Sequence, residues 1–275
     1  MTDPRLTPFS GRVAHVSLKG TLAAPAYTEG RRHRLAAPLA DLLRTPTGTR
    51  DRQILSGAAV CVVDQQGEMA YVRADYDGYC GWIDRSSLGP ELDMTHRVAA
   101  PATHLYSAPD IKSEATATLS LNATVRIIDA SGDFLRRHDG AWLPKQHLLP
   151  IDQPETDPVA VAESLIGTPY LWGGNSRAGL DCSALVQLAL QACNHPCPAD
   201  SDLQERALLP HLPADTAAQR GDLLFWPGHV AWVSAPDMIV HANAYTMSVA
   251  YEPLSAALAR IGATTALSAH VRLSL

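Results

Sequence analysis

The sequence predicts an α+β protein in which two small all-β barrels precede a domain whose helices come before its sheet. Three observations carry this. Between residues 36 and 150 short β-branched runs and Gly or Asp turns occur in the same order twice. After the linker-like Gln153-Pro-Glu-Thr-Asp-Pro158 the apolar spacing becomes helical. Residues 221–242 then return to three strand-like runs.

The chain of 275 residues is long enough for two or three domains. Its 46% apolar and 18% charged content is that of a globular protein, without collagen-like, disordered or coiled-coil bias. A formal charge of −6, from 22 basic and 28 acidic residues, offers no broad attraction to nucleic acid or anionic lipid, so neither is expected as a partner. The opening Met1-Thr-Asp-Pro-Arg-Leu-Thr-Pro8 lacks the basic head and apolar core of a secretory signal, and no apolar run approaches membrane-spanning length. A cytoplasmic location is therefore expected, in which the five cysteines, odd in number and without a CxxC pair, remain thiols. The Cys193-Asn-His-Pro-Cys197 cluster lacks a second ligand group at zinc-site spacing, and no metal is expected.

Residues 1–35 form an N-terminal segment: Val13, Val16, Leu18 and Leu22 suggest a short ordered piece, and Glu29-Gly-Arg-Arg-His-Arg34 reads as a solvated basic turn. The two barrels are placed at 36–93 and 94–152. Asp41-Leu-Leu-Arg-Thr-Pro46 is echoed by His104-Leu-Tyr-Ser-Ala-Pro109, and Val60-Cys-Val-Val-Asp-Gln-Gln-Gly67 by Val125-Arg-Ile-Ile-Asp-Ala-Ser-Gly132. Asp77-Gly-Tyr-Cys-Gly-Trp82 is echoed by Asp139-Gly-Ala-Trp142, and Ser86-Ser-Leu88 by Gln146-His-Leu148. This pattern resembles the bacterial SH3-like domain, a barrel that binds peptides or positions a neighbouring domain; a purely structural role is the alternative for each copy.

The last domain is placed at 153–275. A helix over Val159–Ile166 is stopped by Gly167-Thr-Pro169, and a glycine-rich loop runs into Cys182 at the head of an apolar helix over Ala184–Ala192. Unpaired backbone N–H groups and the positive helix end there favour a thiolate. The competing reading of Cys182 is a small buried hydrophobe. A thiol nucleophile needs a base and a group that orients the base. If the strands around Ser234-Ala-Pro236 form a hairpin centred on Ala235, His229 and His241 become direct cross-strand neighbours. His195 and His211 stay unassigned.

Tyr170-Leu-Trp-Gly-Gly174, Gly179-Leu-Asp-Cys-Ser183, Gly221-Asp-Leu-Leu-Phe-Trp226, Gly228-His-Val230 and Val240-His-Ala242 together resemble the NlpC cell-wall peptidases, a papain-like group of cysteine hydrolases. With SH3-like domains ahead, the resemblance is to the branch that hydrolyses the bond between γ-D-glutamate and a diamino acid in murein peptides. It implies Cys182 as nucleophile, His229 as base, His241 as the residue holding His229, and Tyr170 as an oxyanion donor beside the Cys182 N–H, with no cofactor required. It further implies that Asp200 and Ser201, with Tyr79 of the first barrel, grip the free amine of an L-Ala-γ-D-Glu-diamino acid substrate. Asp51 is a weaker amine candidate, and Trp172, Asp181 and Ser183 are matching residues expected to contact substrate. The bare reading of Asp200 is a helix cap. Ala184 and Ala231 stand where the family often has glycine, which alters pocket volume without removing a catalytic group. The rival readings are a non-catalytic binder of wall peptides and an amidase or acyltransferase on the same scaffold. The sequence carries no signal for oligomeric state or for the diamino acid preferred.

Overall fold

The computed structural model describes residues 3–213 and 216–273. The expected N-terminal segment and last domain also include Met1, Thr2, Ala214, Asp215, Ser274 and Leu275, which lie outside the described residues. The chain divides between Gln153 and Pro154 into two compact units.

In the first unit, Val13–His15 pairs in parallel with Ala26–Thr28 and 3-10 turns cover Pro4–Leu6 and Val16–Leu18, so the short ordered piece is present. The first barrel is one seven-stranded sheet: Arg50–Leu55, Leu39–Leu43, Cys80–Asp84, Met69–Ala74, Ala59–Gln66, Arg31–Leu35, Leu88–Gly89. The second comprises a five-stranded sheet and a three-stranded one, closed over Val98, Leu105, Leu119, Val125 and Leu143. The internal repeat is visible in the register: Leu43 faces Trp82 in the first copy as Tyr106 faces Trp142 in the second. Gly67 and Gly132, at φ of 58° and 56°, turn the equivalent hairpins.

One expectation fails here. Arg31–Leu35 is a strand, paired to Ala59–Val62 and Leu88–Gly89, and not a solvated turn. Its charges are balanced by residues distant in sequence: Arg32 bonds Asp75 and Glu91, both at 2.6 Å, and Arg34 donates to the Gly57 carbonyl. Leu35 at the strand end is buried.

In the second unit, α1 (Pro158–Ser164) starts at Asp157, whose Oδ1 accepts from the Val159 and Ala160 N–H groups. Helix α2 (Cys182–Ala192) is buried nearly all round and packs on an antiparallel sheet ordered Ser248–Pro253, Met238–Asn243, His229–Ala235, Asp222–Trp226, Ala269–Arg272. Phe225, Trp226 and Trp232 fill the space around this sheet, each contributing about 1.5–3 kcal/mol by burial. The three expected strands are present. The outer strands, α3 (Ser201–Ala207) and α4 (Leu254–Gly262) were not anticipated, because Ser248-Val-Ala-Tyr-Glu-Pro253 hides its alternation behind polar ends.

The hairpin register also differs from expectation. Trp232 pairs with Val240 and Val233 with Ile239, followed by an irregularity before Ala235–Met238. Continued, this register sets His229 opposite Asn243. His229 and His241 are thus diagonal neighbours on one face and not direct partners, because the turn lies at Pro236-Asp237 and not at Ala235; the bulge at Ser234 takes back one residue of register and returns the two histidines to the same face.

Candidate active site

The loop before Cys182 is built for close approach. A Cβ on Gly179 would stand 2.6 Å from Leu171 Cβ, and one on Gly174 would stand 2.5 Å from the Gly179 carbonyl oxygen, so only glycine lets the two strands of the loop touch. Asp181 then ties loop to helix: its Oδ1 accepts from the Ala184 N–H at 2.8 Å and the Ser183 hydroxyl at 2.9 Å, and its Oδ2 from the Gly173 N–H at 3.0 Å. Asp181 and Ser183 are therefore engaged in the helix cap, which aims Cys182 as the first helical residue.

Cys182 is 7% exposed, and its Sγ lies 4.0 Å from the carbonyl oxygen of Gly228, next to His229. His229 is delivered by a two-residue turn, Pro227-Gly228, that closes the Trp226–His229 pair with Gly228 at φ 77°. The Trp226 ring covers His229 at 5.7 Å between centroids. His229 Nε2 is 2.9 Å from His241 Nδ1, and His241, with no exposed surface, has its Nε2 3.0 Å from Glu252 Oε2. Arg260 grips both Glu252 oxygens, at 2.9 and 2.6 Å. The structure thus pairs His229 with His241, sets the Cys182 sulfur against the backbone beside His229, and adds Glu252 and Arg260, which sequence reasoning missed. Their signal is a strand-spaced glutamate and an arginine eight residues on, legible only once strand and helix are known.

The electrostatics correct the expectation of a ready thiolate. Burial pushes the Cys182 thiol up to about 12, with Asp181 adding to it; the N–H groups of Val230, Ser183 and Cys182 pull the other way and lose. Burial, and then His241, hold His229 down to about 3, and burial holds His241 down to about 4 against Glu252. The resting thiol and imidazole are both neutral. Tyr170 is raised to about 12 by burial and by the Cys182 and Asp181 charges, so its hydroxyl keeps its proton.

Of the other expected residues, Trp172 is 70% exposed beside this loop. Asp200 stands at the N-cap position of α3, as the bare reading has it, though its side chain makes no capping bond. The start of α3 is fixed by Gln204, whose Nε2 donates to the carbonyls of Ser183, Pro198 and Ala199 at 2.9–3.0 Å, so Ser201 and Asp200 are stapled to the helix of Cys182. In the first unit, Tyr79 is 2% exposed with the Arg52 guanidinium over its ring, and Asp51 is bound by Arg44 at 2.6 Å.

A cysteine heading a buried helix, backed by two histidines on an antiparallel sheet, defines a papain-like cysteine peptidase. Comparison with known proteins makes this particular: residues 167–261 match the NlpC/P60 family, and residues 42–88 match the bacterial dipeptidyl-peptidase SH3 domain. Dipeptidyl-peptidase 6 of Lysinibacillus sphaericus is 28% identical over 70% of this chain and 79% of its own length. A protein of Bacillus cereus named γ-D-glutamyl-L-lysine dipeptidyl-peptidase is 25% identical over 74% of this chain and 71% of its own. The crystal structure of an NlpC/P60 family protein from Bacillus cereus shares the fold, with a TM-score of 0.75 at 21% identity over 88% of this chain and 99% of that one. Among the described residues no helix is long and apolar enough to cross a membrane.

Proposed function

We propose that the enzyme hydrolyses the bond between γ-D-glutamate and a diamino acid in murein peptides that carry a free N-terminal L-alanine, in cytoplasmic recycling of wall fragments. The observation that carries the reading is the buried Cys182 sulfur beside the Gly228 carbonyl, one residue before a His229 that is paired with His241. The bond is suggested by the relatives named for γ-D-glutamyl-L-lysine dipeptidyl-peptidase activity, and the reducing compartment by five free thiols.

Because the resting pair is neutral, His229 acts as general base when substrate arrives: the Cys182 proton passes to the imidazole as sulfur bonds to the γ-carbonyl carbon and the carbonyl π electrons move to oxygen. The Tyr170 hydroxyl, held protonated, and the Cys182 N–H donate to that oxyanion. The loss of one such donor typically costs about 100- to 1000-fold in turnover. Collapse of the tetrahedral intermediate expels the diamino acid amine, which takes the proton from His229, and water then hydrolyses the thioester by the same base. Asp200 and Ser201, stapled to the nucleophile helix by Gln204, supply a carboxylate and a hydroxyl for the alanine ammonium. A substrate whose alanine is acylated would leave that carboxylate without its partner.

The test is mass spectrometry of L-Ala-γ-D-Glu-diaminopimelate digests. The expected products are L-Ala-γ-D-Glu and free diamino acid, formed by the wild type and not by Cys182→Ala. N-acetylation of the peptide should suppress cleavage; equal cleavage of both forms discards the amine clamp.

A further inference from the structure

We propose that Glu252, clamped by Arg260, is a positioning residue that selects the tautomers of His241 and His229 and so leaves His229 Nδ1 bare to receive the thiol proton. The inference rests on the catalytic reading above and deepens it.

Arg260 presents Nε and a terminal nitrogen to the two oxygens of Glu252, a fork-on-fork arrangement that keeps the carboxylate ionised and acceptor-only. Arg260 is itself held over the Tyr245 ring, 4.6 Å from its centroid. The carboxylate oxygen nearest the sheet, Oε2, stands 3.0 Å from His241 Nε2, close enough for an ion-pair contact but without hydrogen-bond alignment, and that buried nitrogen has no hydrogen-bond partner among the described residues. An ionised oxygen at that distance repels a nitrogen lone pair and attracts an N–H, which places the His241 hydrogen on Nε2. Its Nδ1 is then a lone pair, and this atom lies 2.9 Å from His229 Nε2. His229 must therefore donate from Nε2, and its remaining nitrogen, Nδ1, is the base. Register makes the chain of contacts possible: His241 pairs with Ala250, so Glu252, two residues on, projects from the same face of the neighbouring strand.

The consequence appears during turnover. When the thiol proton reaches His229 Nδ1, the imidazolium keeps its Nε2–H on the His241 lone pair, and the positive charge is balanced through His241 by the carboxylate; no proton needs to leave the pair. Without the carboxylate, a neutral His241 is free to hold its hydrogen on Nδ1, which would force His229 to bare Nε2 and carry its own hydrogen on the nitrogen that must act.

Two measurements decide it. Carbon-13 and nitrogen-15 NMR of histidine-labelled wild type should show both His229 and His241 as Nε2–H tautomers; His241 found as Nδ1–H overturns the proposal without any variant. In kinetics, Glu252→Gln, near-isosteric and able to offer either oxygen or N–H, should lower kcat by about 10- to 100-fold, the range of lost outer-sphere histidine partners. KM should stay within about twofold, since ground-state contacts are untouched. A kcat equal to wild type in a folded Glu252→Gln protein also overturns it. Cys182→Ala runs alongside: residual cleavage by that variant would remove the catalytic reading itself, whereas an inactive Cys182→Ala with a fully active Glu252→Gln removes only the role of Glu252.

Discussion

Cys80 in the first barrel and Cys182 at the head of α2 are both buried thiols, and burial pushes each up to about 12. Their settings differ in what lies next to the sulfur. Cys80 sits in a cluster with Cys61, Val63, Tyr71 and Trp82, its thiol donating to the Gly78 carbonyl. Cys182 is flanked by Gly228 and Val230, the backbone on either side of a histidine that is itself backed by a second histidine, a carboxylate and an arginine. Thiol acidity at rest therefore does not mark the nucleophile. In the mechanism proposed above, a base positioned to take the proton does.

The comparison is broken most directly by exchanging the two sulfurs for hydrogen. Cys182→Ala should lower turnover by about 10⁴-fold or more, as loss of a nucleophile does elsewhere, while Cys80→Ala stays within about twofold of wild type in a peptide-hydrolysis assay. Next in size, His229→Ala should cost about 10²- to 10⁴-fold in kcat, the usual worth of a general base. In the same protein, alkylation of Cys182 by iodoacetamide should slow while that of Cys80 is unchanged; equal slowing of both would mean that the histidine supports the fold and not the sulfur.

The acid limb sharpens the contrast further. His229 and His241 are held at about 3 and about 4 in the fold, against 6.5 when unfolded. The unfolded chain thus binds more protons in that window, and the stability contributed by keeping both rings neutral is whole above about pH 6.5 and lost as pH falls toward about 3, each pKa unit being worth about 1.4 kcal/mol. Thermal melts should fall across that window, and less so in His241→Asn; a pH-independent midpoint would contradict the burial described. The smallest effect expected is that of Gly179→Ala, whose added methyl meets Leu171. Overpacking of this kind costs about 1–3 kcal/mol in a denaturant titration, with the loss of activity following from a displaced Cys182 loop.

Much of this site was legible because its parts are locally encoded. The glycine loop, the cap-bearing Asp181 and the apolar run that follows announce a cysteine at a helix head, and the turn residues around Gly228 place His229 at the start of a strand. The doubled barrel was readable because its turns recur at Asp-Gly pairs with the same aromatic after them. What escaped depends on contacts between distant segments. Arg31–Leu35 looked solvated because Asp75 and Glu91, which balance Arg32, lie more than 40 residues away. The diagonal geometry of His229 and His241 depends on a bulge that counting cannot see. The thiol was misjudged because a helix end is a local field, whereas desolvation is imposed by the whole unit. Glu252 was invisible until the pairing of a fourth strand placed it beside His241.

A second buried histidine on the same sheet offers a control supplied by the fold. His270 Nε2 meets Asp222 Oδ2 at 2.7 Å, and Arg272 binds both oxygens of that carboxylate. Burial works against ionising Asp222, but Arg272, His270 and the Gln219 N–H hold its carboxyl below the usual range. This trio has the same ingredients as His241, Glu252 and Arg260, but among the described residues no second histidine is hydrogen-bonded to His270 as His229 is to His241.

The segment Gly167–Tyr170 has one more effect. It exchanges backbone hydrogen bonds with the outermost strand, Gly167 N–H to Val249 O, Val249 N–H to Thr168 O and Tyr170 N–H to Met247 O, all within 2.8–2.9 Å. Those bonds occupy polar groups that a terminal strand otherwise leaves open to pairing with a foreign chain. The stretch that brings the tyrosine to the sulfur thereby also shields the sheet from growing by one more strand, so a peptide reaching this unit finds a closed border along that stretch and has to be read by side chains.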